Sequence, residues 1–188
     1  MAAPGSPTFK WSIPGAHSNK AVSLRCQETT KVFQAHKAHI MSYTLQAFII
    51  HSQDKPLLRN AFASAVKVEL DQNITLIPLT QELFISLNDA TVSKKIKGFD
   101  SLTEVMEKKL LQCISQGTVA YVEADYFGGR GGQSAILWKD GKRALHAEAG
   151  PGNINKVLEQ LGVIAPPGID AFDTLLLGRY KKTEHWVR

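Results

Sequence analysis

The chain has 188 residues, 44% hydrophobic and 21% charged, the composition of an ordinary soluble globular protein. Its two cysteines, Cys26 and Cys113, show neither disulfide nor metal spacing, and no apolar run approaches the roughly 18 residues of a membrane span. These features exclude a disulfide-stapled secreted scaffold and a helical membrane protein, and they imply a reducing, cytoplasmic setting.

The net charge of +5 invites a nucleic-acid reading, but its source argues against one. Before Met41 stand Lys10, Lys20, Arg25, Lys31 and Lys37 against the single acid Glu28, which leaves 17 basic and 16 acidic residues for the remainder. No basic stripe with interleaved aromatics runs through that remainder. Residues 1–40 also carry Pro4, Pro7 and Pro14, few aliphatics and no period, so a disordered leader is expected there. Two origins stay open for it: an upstream extension with Met41 as the natural start, or a targeting segment, although an Arg-rich amphipathic helix and a secretory apolar core are both missing. Residues 41–188 are expected to form one domain.

Ser42 to His51 reads as a first strand, and Ala65 to Leu79 as one or two more, with Asp71-Gln72-Asn73 turning between them. Pro78 marks a sheet edge or a strand end. Thr80 or Gln81 opens a short helix through Leu87. Ser101-Leu-Thr-Glu104 has the spacing of a capping box, followed by an apolar stripe of Leu102, Val105, Met106, Leu110, Cys113 and Ile114, with Gly117 as terminator. Cys113 falls on that stripe and reads as an inert thiol.

Thr118 to Ala149 is the most informative stretch because its turns predict which side chains share a face. Asp140-Gly141 suits a two-residue hairpin turn, which pairs Leu137 with Ala144, Ala135 with His146 and Gln133 with Glu148. Gly128 to Gly132 reads as a five-residue loop that sets Phe127 opposite Gln133 and Asp125 opposite Ala135. Side chains alternate with period two, so one face should hold Val122, Ala124, Tyr126, Ser134, Ile136, Trp138, Leu145 and Ala147. The other collects Tyr121, Glu123, Asp125, Phe127, Gln133, His146 and Glu148. Downstream, Asn153 should cap a helix over residues 154–161 ending at Gly162, Ala165-Pro166-Pro167-Gly168 should turn the chain, and Asp170 should open a helix ending at Gly178. The sum is an α+β fold, an antiparallel sheet with helices packed on one face, Trp138 burying against Val105, Met106 and Leu110, and an acidic face left open.

That acidic face carries the candidate site. Glu123, Asp125, His146 and Glu148 could hold a divalent cation or supply an acid/base pair, with Ala135 leaving room between them. A wet polar face is the plain alternative, since antiparallel sheets commonly leave one side solvated. Arg130 in the glycine loop could counter an anion, but a strand rather than a helix follows, so no phosphate-loop fingerprint is met. The tail from Gly178 to Trp186 is basic with aromatics and should pack Trp186 while solvating its lysines, a partner contact being the sharper reading.

The string from Ala120 to Gln133, with its Tyr-Phe-Gly-Gly-x-Gly-x-Gln hairpin, the Ala135-x-x-Trp138 that follows, and Gly168-Ile-Asp-Ala-Phe-Asp173 with Leu177-Gly-Arg179 and Thr183-Glu184-x-Trp186, resembles small uncharacterised bacterial α+β proteins. The likeness covers the second half of the chain and the start at Met41, and implies a shared fold and a bacterial cytosolic setting without any activity. By analogy such proteins resemble immunity partners of bacterial toxins. The leading expectation is therefore a non-enzymatic protein-interaction module, an immunity-type inhibitor, binding a basic partner surface through Glu123, Asp125, Arg130, Gln133, His146 and Glu148, without a cofactor and without membrane or nucleic acid. The alternative is a hydrolase using Glu123, Asp125, His146 and Glu148 with a divalent metal or as acid and base. An assembly role through the strand edge near Pro78 is a third reading.

Overall fold

The computed structural model describes residues 42–59, 62–89 and 93–187. The leader expected over residues 1–40 lies outside them. Six antiparallel strands form one sheet in the order β2-β3-β1-β4-β5-β6: β1 (Ser42–His51), β2 (Val68–Glu69), β3 (Ile74–Pro78), β4 (Thr118–Phe127), β5 (Arg130–Lys139) and β6 (Lys142–Gly150). β1 is central, and its near-continuous apolar run follows from burial on both sides. Leu45, Ala47 and Ile49 enter one core cluster while Phe48 and Ile50 enter the other.

The expected antiparallel α+β fold is observed, with its helices on both faces rather than one. Helices α1 (Gln81–Asn88) and α2 (Glu104–Cys113) contribute Leu83, Leu87, Met106 and Leu110 to a cluster with Tyr121, Ile136 and Trp138. Helices α3 (Asn153–Gln160) and α4 (Ala171–Thr174) contribute Ile154, Val157, Leu158 and Ala171 to a cluster with Val122, Ala135 and Leu137. Of the stripe predicted to meet Trp138, Met106 and Leu110 are buried and Val105 is half-buried.

Local chemistry sets the element ends. Thr80 caps α1 by accepting from the Leu83 N–H at 3.2 Å, and Asp170 caps α4 by accepting from that of Asp173 at 2.8 Å. The cap of α2 is Thr103, accepting from the Met106 N–H, two residues beyond the Ser101 of the expected capping box. At α3, Gly152 is the cap and Asn153 instead donates to the backbone oxygens of Gln133 and Glu148. The helix opened by Asp170 stops at Thr174, because Leu176 turns left-handed at φ 53° before a 3-10 turn over Leu177–Arg179. Pro78 ends β3 opposite Ala47, and beyond it the C-terminal chain takes over that flank of β1. The Thr44 N–H donates to the Lys181 carbonyl at 2.9 Å and the Gln46 N–H to Thr183 Oγ1 at 3.0 Å. The flank of β1 beyond Pro78 is thus already occupied.

The register around the candidate site differs from expectation twice. Gly128-Gly129, at φ 58° and 77°, make a two-residue turn instead of a five-residue loop, and Arg130, Gly131 and Gly132 belong to β5. Phe127 therefore pairs with Arg130, Asp125 with Gly132 and Glu123 with Ser134. The Asp140-Gly141 turn forms as predicted, but a bulge after Trp138 then pairs Leu137 with Leu145 and Ala135 with Ala147, and Gln133 meets Gly150. Both displacements are odd numbers of residues. They invert β5, sending Ser134, Ile136 and Trp138 to the Glu123 side and Gln133 to the opposite side. They cancel between β4 and β6, so Glu123, Asp125 and His146 keep one face.

Candidate functional site

A strap over residues 95–103 lies across that face. It closes on itself through the Lys95–Thr103 bridge and the Ile96 N–H to Leu102 carbonyl bond, and it buries Ile96, Phe99 and Leu102. Glu123, only 7% exposed, anchors it. Oε2 accepts from the Asp100 N–H at 2.6 Å, and Oε1 accepts from the N–H groups of Ser101 at 2.8 Å and Leu102 at 3.1 Å and from the Tyr121 hydroxyl at 2.9 Å. Three successive amides and a phenol fill the lone pairs of one carboxylate, so the strap cannot part from the sheet without stranding a buried charge. Burial, then the Glu123 charge, pushes the Tyr121 hydroxyl well above its ordinary range, which keeps it a donor.

Two more residues of the expected acidic face serve the same strap. His146 stacks on Phe99 with ring centroids 5.7 Å apart and shares a hydrogen bond of 2.9 Å with the Lys97 carbonyl. Glu148 pairs with Lys97 Nζ at 2.8 Å beside Gly98. This corrects the expectation of an open acidic face. Gln133, on the other face, accepts from the Ile154 N–H at 3.1 Å and so positions the start of α3. Among the described residues, no group of three or more His, Cys, Asp and Glu side chains is placed to hold a metal ion.

A second buried carboxylate escaped the sequence reading. Glu107 of α2 receives a two-pronged contact from Arg143 of β6 and a 2.7 Å bond from Trp138 Nε1. Burial alone would raise its pKa, but the hydrogen bonds from Arg143 and Trp138 outweigh that and hold the carboxyl below its ordinary value. The signal was present in the sequence, since Glu107 interrupts the Thr103, Leu110, Ile114 side of the helix at helical spacing.

Asp125, Phe127 and Arg130 remain. They occupy the end of the β4–β5 hairpin beyond the strap, Asp125 and Arg130 exposed and Phe127 77% exposed, on the side of the sheet that carries Glu123. Gly132, opposite Asp125, adds no side chain. No strap residue covers the sheet there, and the two-residue turn presents one aromatic ring and one charge of each sign. At the far end of β1, a shallow cleft of about 300 Å³ is lined by His51, Ser52, Gln53, Gln72 and Asn73. Next to it the Ser52 hydroxyl is engaged by Glu69 and Thr75, with Lys55 closing the network on Glu69.

No helix among the described residues is long and apolar enough to cross a membrane. No family model matches the chain, and comparison with curated proteins and with solved structures likewise finds no match.

Proposed function

We propose that the protein is a non-enzymatic interaction module that grips a protein partner with the tip of the β4–β5 hairpin. One observation carries this reading: Phe127 stands 77% exposed and directly opposite Arg130 across a two-residue turn. Aromatic residues and arginine are enriched at protein interfaces, and burying a free aromatic ring supplies much of their binding energy. A turn locked by hydrogen-bonded strands presents both groups at little ordering cost. The particular kind of module proposed is an immunity-type inhibitor of a bacterial toxin, acting in the cytoplasm and without nucleic acid. The near-balance of charge after Met41 supports the last point.

Of the four groups of the acid/base alternative, Glu123 is saturated by four donors, Glu148 pairs with Lys97 and His146 bonds the Lys97 carbonyl, while Asp125 lies out at the exposed tip. Affinity capture from a bacterial lysate, followed by titration of the recovered and purified protein, tests the module. Wild type should bind a defined partner at least about tenfold tighter than a Phe127→Ala, Arg130→Glu variant whose unfolding midpoint is unchanged. Equal binding by that variant removes the tip from the interface. A partner whose growth-arresting activity the protein suppresses supports the immunity role, and one without such activity overturns it.

A further inference from the structure

The C-terminal corner holds a cation that the fold orients and leaves without an acid. The Arg179 guanidinium lies 4.5 Å from the centroid of the Trp186 ring and 5.2 Å from that of Tyr180, and the two rings meet edge to face at 5.0 Å. Cation–π contact with the two rings holds the guanidinium against them, so its fork of N–H donors is preorganised. Arg179 is exposed and has no carboxylate partner among the described residues.

Its sequence neighbours add positive charge rather than acids. Lys181 and Lys182 follow, both exposed, and Glu184 is the sole acid over residues 174–187. Trp186 Nε1 is buried with no hydrogen-bond partner in the described residues. Leu176, whose carbonyl accepts the Arg179 N–H, is 57% exposed in a left-handed backbone conformation that non-glycine residues rarely adopt.

We propose that this corner binds a carboxylate-bearing protein segment, an acidic peptide with an apolar residue beside its acid, the carboxylate meeting Arg179 in a two-pronged contact and the apolar side chain lying against Leu176. Lysine at position 179 would keep the charge and lose the fork, which separates this mode from general electrostatic attraction. The inference rests on the reading of the chain as a binding module but uses residues other than the hairpin tip, so either surface can fail alone.

Fluorescence anisotropy of the full chain with a fluorescein-labelled decapeptide alternating glutamate and leucine tests it, with the glutamine counterpart as the neutral probe. The glutamate peptide should bind and the glutamine peptide should not. Arg179→Lys, with an unchanged unfolding midpoint, should weaken binding about tenfold, and Arg130→Glu should leave it unaltered. Equal binding of the two peptides, undiminished binding by Arg179→Lys, or loss caused by Arg130→Glu alone would each overturn the assignment. Tighter binding of a twelve-nucleotide single-stranded DNA would do so as well, by making the corner a polyanion site instead.

Discussion

Two carboxylates hold this protein together from positions that look catalytic or decorative in the sequence. Replacing Glu123 by alanine removes the acceptor of three backbone amides, that of Leu102 buried, and of the buried Tyr121 hydroxyl, and each buried group left unsatisfied costs about 1–3 kcal/mol. Allowing for water entering the space, Glu123→Ala should lower unfolding free energy by about 3 kcal/mol in urea titrations; a loss below about 1 kcal/mol would mean that the strap holds without its anchor. Glu107 gives a pH signature. Its folded pKa lies below the ordinary 4.5, so its contribution is complete above that value and disappears as pH falls through the lower folded one. The stability gap between wild type and Glu107→Gln should be constant from pH 7 to about 5 and shrink on further acidification. A gap that widens in acid would reverse the assigned direction. Neither role could be read from residue type alone, because a carboxylate aimed at solvent and one aimed at backbone amides look the same until the amides are placed.

Among the elements, the strands, the Asp71-Gln72-Asn73 and Asp140-Gly141 turns and the caps at Thr80 and Asp170 were legible, since each rests on neighbours in sequence. The Gly128 to Gly132 run was not. Glycine there answers two separate demands: positive φ in the turn at Gly128 and Gly129, and close backbone approach within the strand at Gly131, where a Cβ would stand 1.9 Å from the Asp125 carbonyl oxygen. Counting glycines thus overestimates the loop. The distinction is measurable. Gly129→Ala has open space around its Cβ and should cost only about 1 kcal/mol, the left-handed penalty. Gly131→Ala must push the paired strand aside and should cost clearly more by thermal unfolding. Equal losses at the two sites would restore the longer loop. The bulge after Trp138 was equally hidden, because an extra residue in an edge strand changes pairing without changing composition.

At the scale of the molecule, the antiparallel α+β plan followed from the order of elements, but its layering depended on the inverted strand. With Ser134, Ile136 and Trp138 beside Glu123, the supposed wet face becomes a second core, and the strap seals its far end. Among the described residues, the two proposed binding surfaces lie where the sheet outruns its cover, at the hairpin tip, and where the tail sets Arg179 against its rings. The tail has another consequence through its bonds to β1. Thr44 and Gln46 lie in the first strand of the described fold, yet the groups that satisfy their amides are supplied by Lys181 and Thr183. During synthesis the innermost strand therefore waits, half paired, for nearly the whole domain to be translated. A nascent chain of this protein reaches the native hydrogen bonding of β1 only once residue 183 has emerged, and until then the open flank of that strand is in need of shielding.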